Sequence, residues 1–183
     1  MSVPRSPNPA KLVIGFFLKE KDDSLKVAKA LSDRFGAVDM ASSWLPFEFT
    51  DYYEPEMGKP LLRRMLTFKR LIGQDELAAI KTATNDLEQD FFRDGKRRVN
   101  LDPGYLLLER FVLATGKNYA HRIYIGRRIY ADLTLIYAQG GYRELPWTYP
   151  DYSDLRMLSF LERVRKKYAS DLKTNPQQKI PDD

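Results

Sequence analysis

The sequence has no cysteine among its 183 residues, and it has a single histidine, His121. Without cysteine the chain cannot use a thiolate nucleophile, form disulfide bonds or bind zinc through sulfur. One histidine also falls short of the ligand set of a conventional zinc site. A cation site would have to be built from carboxylate oxygens, which suit Mg²⁺. Glu54, Glu56, Asp102 and Asp132 could supply them.

Long apolar runs are missing as well. The run at 12–18 is short, follows prolines and ends in Lys19-Glu20-Lys21, which is not the pattern of a signal peptide. No run reaches the length of a membrane span. No glycine-rich loop follows the first run, which excludes a P-loop and a dinucleotide fingerprint. We therefore expect a soluble, cytoplasmic protein with no membrane partner, and the oligomeric state stays open.

The overall composition is that of a globular protein that is rich in aromatic residues. Hydrophobic residues make up 43% of the chain and charged residues 30%, and aromatic residues reach 13%, with 11 tyrosines. The length suits one domain, which we expect at 11–172, with a flexible tail at 1–10 and a disordered tail at 173–183. The net charge of +5 permits attraction to phosphates.

Hydrophobic periodicity predicts an α+β fold. The first six elements follow the order strand, helix, strand, strand, helix, strand, at 12–18, 22–35, 40–50, 61–71, 75–92 and 99–101. This order matches the ferredoxin-like split β-α-β arrangement. Alternation in the fourth element places Arg63 outward or at the rim. The remaining elements are a short helix, an antiparallel hairpin at 122–125 and 129–138, a strand at 142–145 and a C-terminal helix at 151–172.

The short helix is predicted from Asp102-Pro103, a strong helix-start signal that is followed by apolar residues at helical spacing and by Gly116. The pattern predicts a helix over 103–114. Its first turn would expose the N–H groups of Gly104 and Tyr105, which is the geometry of an anion site. A helix cap without a ligand explains the same residues equally well.

Positive charge is concentrated in the middle of the chain, where residues 93–128 contain nine lysines and arginines against three acids. This combination of cations with aromatic rings favours a nucleotide or single-stranded nucleic acid, because rings stack on bases and cations pair with phosphates. Two plainer interpretations stay open. The stretch can be a solvated basic face, or the acids of 39–58 can neutralise it through pairs such as Glu54–Arg122. The interleaved tyrosines are Tyr105, Tyr119, Tyr124 and Tyr130.

Five separated motifs of polar and aromatic residues stand out along the chain. They are Tyr53-Glu54-Pro55-Glu56-Met57-Gly58; Lys81 with Thr84-Asn85 and Glu88; Asn100-Leu101-Asp102-Pro103-Gly104-Tyr105; Lys117-Asn118 with His121-Arg122-Ile123-Tyr124; and Trp147-Thr148-Tyr149-Pro150-Asp151-Tyr152. In this order they resemble the marks of a prokaryotic family described as a domain of unknown function, number 4416. The resemblance covers about residues 10–170. It implies a compact single-domain prokaryotic protein and carries over no activity.

We predict that one polar cleft gathers these motifs and binds a phosphate-bearing ligand, either a nucleotide or an RNA end. The cleft could also bind Mg²⁺ and carry out phosphoester chemistry on that ligand. The candidate catalytic residues are His121, Asp102 and Glu54, because imidazole suits acid–base work and a carboxylate can hold Mg²⁺ or act as a base. The candidate ligand-binding residues are Glu56, Lys81, Asn85, Glu88, Asn100, Gly104, Tyr105, Lys117, Arg122, Tyr124, Trp147 and Tyr149.

Two alternatives belong to other functional classes. A non-catalytic RNA- or protein-binding module would spread its basic and aromatic groups over an open sheet face without a deep pocket, and its binding would weaken steeply with salt. A structural protein would use the same motifs as internal salt-bridge networks. In that case His121 is a structural hydrogen-bonding residue, and the 147–152 motif is a rigid turn into the last helix.

Overall fold

The computed structural model describes residues 3–174 and confirms the predicted α+β class, with nine strands and four helices in that part of the chain. The strands are β1 (Ala10–Leu18), β2 (Val38–Ala41), β3 (Leu45–Phe47), β4 (Leu61–Ile72), β5 (Val99–Leu106), β6 (Arg110–Thr115), β7 (Arg122–Tyr124), β8 (Tyr130–Ala138) and β9 (Gly141–Glu144). The helices are α1 (Ser24–Phe35), α2 (Glu54–Met57), α3 (Leu77–Gln89) and α4 (Leu155–Thr174).

All nine strands belong to one antiparallel sheet. Its order is β2-β4-β1-β5-β6-β8-β7, while β3 also pairs with β4 and β9 also pairs with β8. The central strand β1 is buried along its whole length. This confirms the prediction from its continuous apolar run, which is typical of a strand that is covered on both faces. The neighbours of β1 in the sheet are β4 and β5.

The main hydrophobic core joins the sheet to α1, α3 and α4. On α1, the buried residues Val27, Leu31 and Phe35 recur every four residues, as the sequence pattern predicted. A second, smaller core cluster forms around Phe17, because pleating turns this side chain to the opposite face from Phe16. The other members of that cluster are Phe47, Met57 and Leu61.

Buried polar contacts attach the C-terminal helix to the sheet. Lys11 of β1 is fully buried, and its Nζ lies 2.5 Å from Asp39 of β2 and 2.8 Å from Asp171 of α4. Tyr168 of α4 donates a hydrogen bond of 2.7 Å to the carbonyl oxygen of Pro9. These contacts link β1, β2 and α4 over sequence separations that no local pattern reveals.

The prediction of a helix over 103–114 is wrong, because this stretch forms the end of β5 and most of β6. The residues between the two strands make a tight connection, and Gly104 is paired with Leu113 across it. Pro103 fits because β1 lies on one side of it and the β5–β6 ladder begins only at the next residue. A proline is tolerated in a strand where its missing N–H faces no partner. Tertiary pairing therefore overrides the helix-start signal.

Smaller differences concern element boundaries. The strand expected at 40–50 is split into β2 and β3, and Pro46 lies in the short β3, which pairs only with β4. The predicted helices at 75–92 and 151–172 are observed as α3 and α4, the latter preceded by a 3₁₀ turn at Pro150–Tyr152. The short helix α2 was not predicted.

The predicted tails overlap the described elements at both ends. Ala10 is the first residue of β1, and α4 continues through Lys173 to Thr174. Residues 1 and 2 and the remainder of the predicted C-terminal tail, 175–183, lie outside the described residues. Within residues 3–174, no helix combines the length and the apolar character that crossing a bilayer requires.

Candidate functional site

Strand register places a set of polar side chains on one face of the sheet. Cross-strand partners share a face, because side chains alternate along each strand. Phe17 of β1 is opposite Arg63 of β4 on one side and Asn100 of β5 on the other, and Gly15 is opposite Asp102. A neighbouring row crosses β5, β6, β8 and β7 through Gly104, Leu113, Asp132 and Arg122.

A cleft of about 470 Å³ lies over this face. This volume is within the range of small-molecule and cofactor sites, roughly 300–1,000 Å³. Loops before α2, after β6 and before α4 complete the walls. The charged and phenolic residues of the lining are five cations (Arg63, Lys81, Arg97, Lys117 and Arg122), three carboxylates (Asp102, Asp132 and Asp151) and four tyrosines (Tyr52, Tyr53, Tyr149 and Tyr152).

Arg63 is the buried centre of one wall, with only 4% of its side chain exposed. Its Nη2 donates hydrogen bonds of 2.8 Å to Asp102 and 3.1 Å to the hydroxyl of Tyr152. Its Nη1 contacts the carboxylate of Asp151. The guanidinium also lies over the Tyr152 ring, 4.7 Å from its centroid, and over Phe47 at 5.2 Å. Arg63 thus joins β4, β5 and the turn before α4.

Arg122 organises the opposite wall. Its Nε donates a hydrogen bond of 2.8 Å to Asp132, which is its register partner on β8. His121 Nε2 lies 3.3 Å from the same carboxylate oxygen. The guanidinium also donates to the carbonyl oxygen of Lys117 at 2.9 Å and stacks on the Tyr119 ring at 4.6 Å. Asp132 therefore fixes the guanidinium and the imidazole together.

The third arginine, Arg97, links the acidic and basic segments of the chain. Its Nη2 donates a hydrogen bond of 2.7 Å to Glu56, and its Nη1 donates one of 2.9 Å to Oδ1 of Asn100. Glu88 lies 3.4 Å from the same Nη1. Burial opposes the charge of Arg97, but the hydrogen bond that Arg97 donates to Glu56 and the field of Glu88 outweigh it and raise the arginine pKa. The predicted neutralisation of the 93–128 segment by the acids of 39–58 thus occurs at Arg97–Glu56.

Lys81 and Glu88 of α3 form hydrogen bonds with the backbone of β5 at Leu101, which lies before the stretch of β5 that pairs with β6. Lys81 Nζ donates a hydrogen bond of 2.8 Å to the carbonyl oxygen of Leu101. Glu88 accepts one of 2.7 Å from the N–H of the same residue. Burial raises the pKa of Glu88, against the field of Lys81 and the bond from Leu101. The polar residues on the inner arc of α3 therefore satisfy an open strand edge, and Lys81 also lines the cleft.

Several buried N–H groups of the cleft wall have no hydrogen-bond partner within residues 3–174. They are Nε of Arg63, Nε of Arg97 and Nδ2 of Asn100. The amide orientation of Asn100 is set by its Oδ1, which accepts from Arg97. All three groups are donors, and an unpaired buried donor is costly unless something accepts its proton. The wall therefore contains donors whose hydrogen-bonding capacity is not used within residues 3–174.

Two tyrosines of the cleft, the partly buried Tyr53 and the buried Tyr152, are neutral at physiological pH. Burial raises the pKa of Tyr53, reinforced by the charge of Asp102. Burial likewise raises the pKa of Tyr152, which Arg63 lowers only in part. Both hydroxyls therefore keep their protons and can act as hydrogen-bond donors.

Seven of the sequence-predicted site residues line the cleft: Lys81, Asn85, Asn100, Asp102, Lys117, Arg122 and Tyr149. Three more do not line the cleft themselves but contact residues that do. His121 contacts Asp132, while Glu56 and Glu88 contact Arg97. Trp147 stacks on the His121 ring at 4.9 Å and donates its indole N–H to the carbonyl oxygen of Leu133.

The other predicted residues are elsewhere. Glu54 forms an exposed ion pair with Lys59 at 2.8 Å, so the predicted catalytic set is not assembled at one point. Tyr105 is buried in the main core, and Tyr124 is exposed on β7. Gly104 is in mid-strand and presents no helix N-terminus. A Cβ there would lie 2.4 Å from the carbonyl oxygen of Val112, so this glycine permits close strand approach.

Several lining residues were not predicted from the sequence, above all Arg63, which was expected outward or at the rim. The structure buries it instead. Its alternation with Leu61 and Met65, which are also buried, was the available signal, because the three share one face of β4. Asp151 and Tyr152 were treated as part of a turn. Nothing local indicates that they contact an arginine about ninety residues away.

Within residues 3–174 no group of three or more His, Asp or Glu side chains is placed to hold a metal ion. The carboxylates that were expected to bind Mg²⁺ are distributed over separate ion pairs. Asp102 contacts Arg63, Asp132 contacts Arg122, and Glu54 contacts Lys59. The described carboxylates therefore form no preassembled Mg²⁺ site of the predicted kind.

A family model described as Domain of unknown function (DUF4416) matches residues 8–168, which is most of the chain. No curated protein and no solved structure matches the sequence. The matched range contains all five motifs and every residue of the cleft lining.

Proposed function

The chain belongs to the DUF4416 family, and from that premise we propose that its cleft binds a phosphate-bearing ligand of nucleotide size. The observation that carries this proposal is the positive lining of the cleft, where Arg97, Lys117 and Arg122 are among five cations against three carboxylates. A phosphate has several acceptor oxygens and can satisfy donors that come from different directions. The unpaired donors on Arg63, Arg97 and Asn100 are almost inaccessible, so a ligand reaches them only if side chains of the wall move.

The charge of the cleft supports an anionic ligand. Its lining has five cations and three carboxylates, so 5 − 3 leaves a formal charge of +2. The three carboxylates are already paired with Arg63 and Arg122. Lys117, by contrast, makes no ion pair within the described part of the chain, and its Nζ lies over the Tyr52 ring at 4.3 Å. Lys117 is therefore available to pair with a phosphate at the exposed rim.

The tyrosines of the cleft supply surfaces for the rest of a nucleotide. The ring of Tyr53 stacks edge-on against Phe17, and Tyr52 stacks edge-on against Tyr53. Tyr149 lines the cleft while about half of it stays exposed. Exposed tyrosine rings beside arginine and lysine are suited to a heterocyclic base, because every base has a face that can stack.

Binding is better supported than phosphoester chemistry. Each lining carboxylate is engaged by an arginine, so none is free to hold Mg²⁺ or to remove a proton. His121 is held by Asp132 and stacked on Trp147, which orients its ring. We therefore limit the proposed role of His121 to positioning the wall that contains Arg122.

We also infer that the first half of the chain follows the ferredoxin-like split arrangement. The support is the strand order β5-β1-β4-β2 with antiparallel neighbours throughout. The helices α1 and α3 connect β1 to β2 and β4 to β5, as that arrangement requires. On this interpretation, β6 to β9 extend the sheet beyond β5 and bring Asp132 and Arg122 to the cleft.

A thermal-shift series tests the binding proposal. Purified protein is heated with nucleosides and with the corresponding mono-, di- and triphosphates, with and without Mg²⁺. A ligand at about 100 times its dissociation constant stabilises by about 2.7 kcal/mol, which is about 5–10 °C for a domain of this size. We expect the phosphates to raise the midpoint and the nucleosides to have little effect. Equal shifts from both, or no shift from any, would overturn the proposal.

Two variants identify the cleft as the site. Asn100→Asp keeps the Oδ1 that accepts from Arg97 and replaces the unpaired amide donor by an anion, so it should abolish the nucleotide shift. Lys117→Ala should weaken it. Lys69→Ala, which removes an exposed lysine of β4 outside the cleft, is the matched control and should leave the shift unchanged. If Asn100→Asp only melts earlier and wild type shows no ligand shift, the network is structural.

A further inference from the structure

The sheet continues beyond the cleft as an open, aromatic surface. Thr115 lines the cleft on β6 and is opposite Tyr130 on β8, which is opposite Tyr124 on β7. Register partners share a face, so both tyrosines lie on the cleft side of the sheet, one row beyond the Asp132–Arg122 row. We name Tyr124 and Tyr130 the edge tyrosines.

The edge tyrosines pack edge to face against each other, with Tyr124 largely exposed and Tyr130 partly buried. Their ring centroids are 5.4 Å apart with an interplanar angle of 61°. Tyr124 is 59% exposed, although a side chain of this type normally buries much of its ring. Two strand spacings separate Thr115 from Tyr124, which is about 10 Å. That distance corresponds to about three nucleotides at the stacked spacing of roughly 3.4 Å.

Unpaired positive charge surrounds the edge tyrosines. Arg127 and Arg128 form the turn between β7 and β8, and both are exposed. Neither arginine, nor Lys117 at the cleft rim, forms an ion pair with a carboxylate within residues 3–174. Cations without an ion-pair partner near an exposed ring match a polyanion that carries stackable groups.

We propose that the ligand of the cleft is the terminal nucleotide of a single-stranded nucleic acid. The next nucleotides of that strand cross the edge tyrosines toward Arg127 and Arg128. This inference rests on the proposed function, because it assigns the strand end to the cleft. Bases stack on Tyr124 and Tyr130, and the phosphates between them pair with the two arginines and Lys117.

A protein partner fits this surface less well. The edge strand β7 has only three residues, Arg122–Tyr124, which is too short to template an added strand. An acidic peptide would satisfy the arginines but would leave the edge tyrosines without stacking partners. Rings and charges together are what a single strand supplies.

Fluorescence anisotropy with labelled single strands of one to eight nucleotides tests the inference, in RNA and DNA versions. Affinity should rise with length up to about four nucleotides, which fill the cleft and the path, and then level off. A blunt duplex of the same sequence and an octaglutamate peptide should bind at least tenfold more weakly than the octanucleotide. The RNA and DNA series show whether a 2′-hydroxyl contributes to recognition.

A matched pair of variants isolates the edge tyrosines. Tyr124→Ala should weaken octanucleotide binding by about five- to a hundredfold, the range for one stacked base, and leave mononucleotide binding unchanged. Ile123→Ala alters the preceding residue of β7, which is 68% exposed but lies on the other face, so it should change neither. In Arg127→Gln/Arg128→Gln, the slope of log affinity against log salt should become shallower by about 1.4, because each phosphate contact contributes about 0.7 for single strands.

The possible results separate this inference from the proposed function. If mononucleotides bind and longer strands bind no more tightly, the strand path is wrong and the cleft proposal stands. The path is equally wrong if Tyr124→Ala leaves octanucleotide binding intact, or if octaglutamate competes as well as the strand. If neither mononucleotides nor strands bind, both proposals fail.

Discussion

Replacing Arg63 by methionine removes a buried cation that contacts two carboxylates and a tyrosine hydroxyl. Methionine is similar in length and apolar, so the contacts with Phe17 and Phe47 can be kept in part. The charge is lost completely, and Asp151 and Asp102 then face each other without a counter-ion. The variant therefore measures how strongly the cleft wall depends on this guanidinium.

The expected loss of stability is large. Breaking a buried ion pair by removing one partner costs about 3–5 kcal/mol, because the remaining charge stays buried and unpaired. Asp151 is only 8% exposed and bears most of this cost, while Asp102, at 28%, keeps some contact with water. For a domain of this size, the loss corresponds to a fall in midpoint of about 6–20 °C.

Urea denaturation followed by tryptophan fluorescence gives the free energy of unfolding of each variant. Arg64→Met is the matched control, because Arg64 is the next residue of β4, is partly exposed and forms no ion pair within residues 3–174. Its guanidinium donates to the carbonyl oxygen of Ser42 and lies over the Trp44 ring at 5.2 Å. This control should cost no more than about 1.5 kcal/mol. Adding Asp151→Asn to Arg63→Met should restore at least about 1 kcal/mol, because a neutral amide is less costly to bury.

Two results would refute this reasoning. If Arg63→Met destabilises by less than about 1 kcal/mol, the guanidinium does not neutralise buried carboxylates in the folded protein. If the added Asp151→Asn restores nothing, the loss has another origin, such as a packing defect beside Phe47. In either case the ion-pair network would not be what holds the wall of the cleft in place.

Two further predictions concern α3 and β5. Glu88→Gln keeps an acceptor for the Leu101 N–H but cannot ionise. Because the pKa of Glu88 is raised in the folded state, wild type should lose stability relative to Glu88→Gln as pH rises from about 4 through that pKa. A difference in urea midpoint that does not change with pH would contradict this. Gly104→Ala should cost about 1–3 kcal/mol, because a Cβ would lie 2.4 Å from the Val112 carbonyl oxygen, whereas Gly116→Ala, which meets open space, should cost little in the same melts.

The two halves of the fold differ in how far local sequence predicted them. The apolar run of β1 and the four-residue spacing on α1 are local signals, and both elements are observed. Asp102-Pro103 is also a local signal, but it misled, because the stretch is paired with β1 on one side and β6 on the other. Strand pairing decides such cases, since its hydrogen bonds come from residues far along the chain.

In the candidate site too, local sequence indicated some residues, while tertiary structure decided the position of others. The motifs include Asn100, Lys117, Arg122 and Tyr149, and all four lie in the lining of one cleft. They did not distinguish these from Tyr105, which is buried in the core. Polar residues that serve a strand edge, as Glu88 does, have the same sequence signature as residues that bind a ligand.

By itself, the sequence determined the absence of thiol chemistry, the α+β class, the central buried strand and the family, because each depends on composition, local periodicity or motif order. Tertiary structure alone decided which side chains meet. Arg63 contacts Tyr152 across 89 positions, and Lys11 contacts Asp171 across 160. Such contacts are set by strand register and helix packing, which bring distant residues onto one face of the sheet, and no pattern within a local window contains that information.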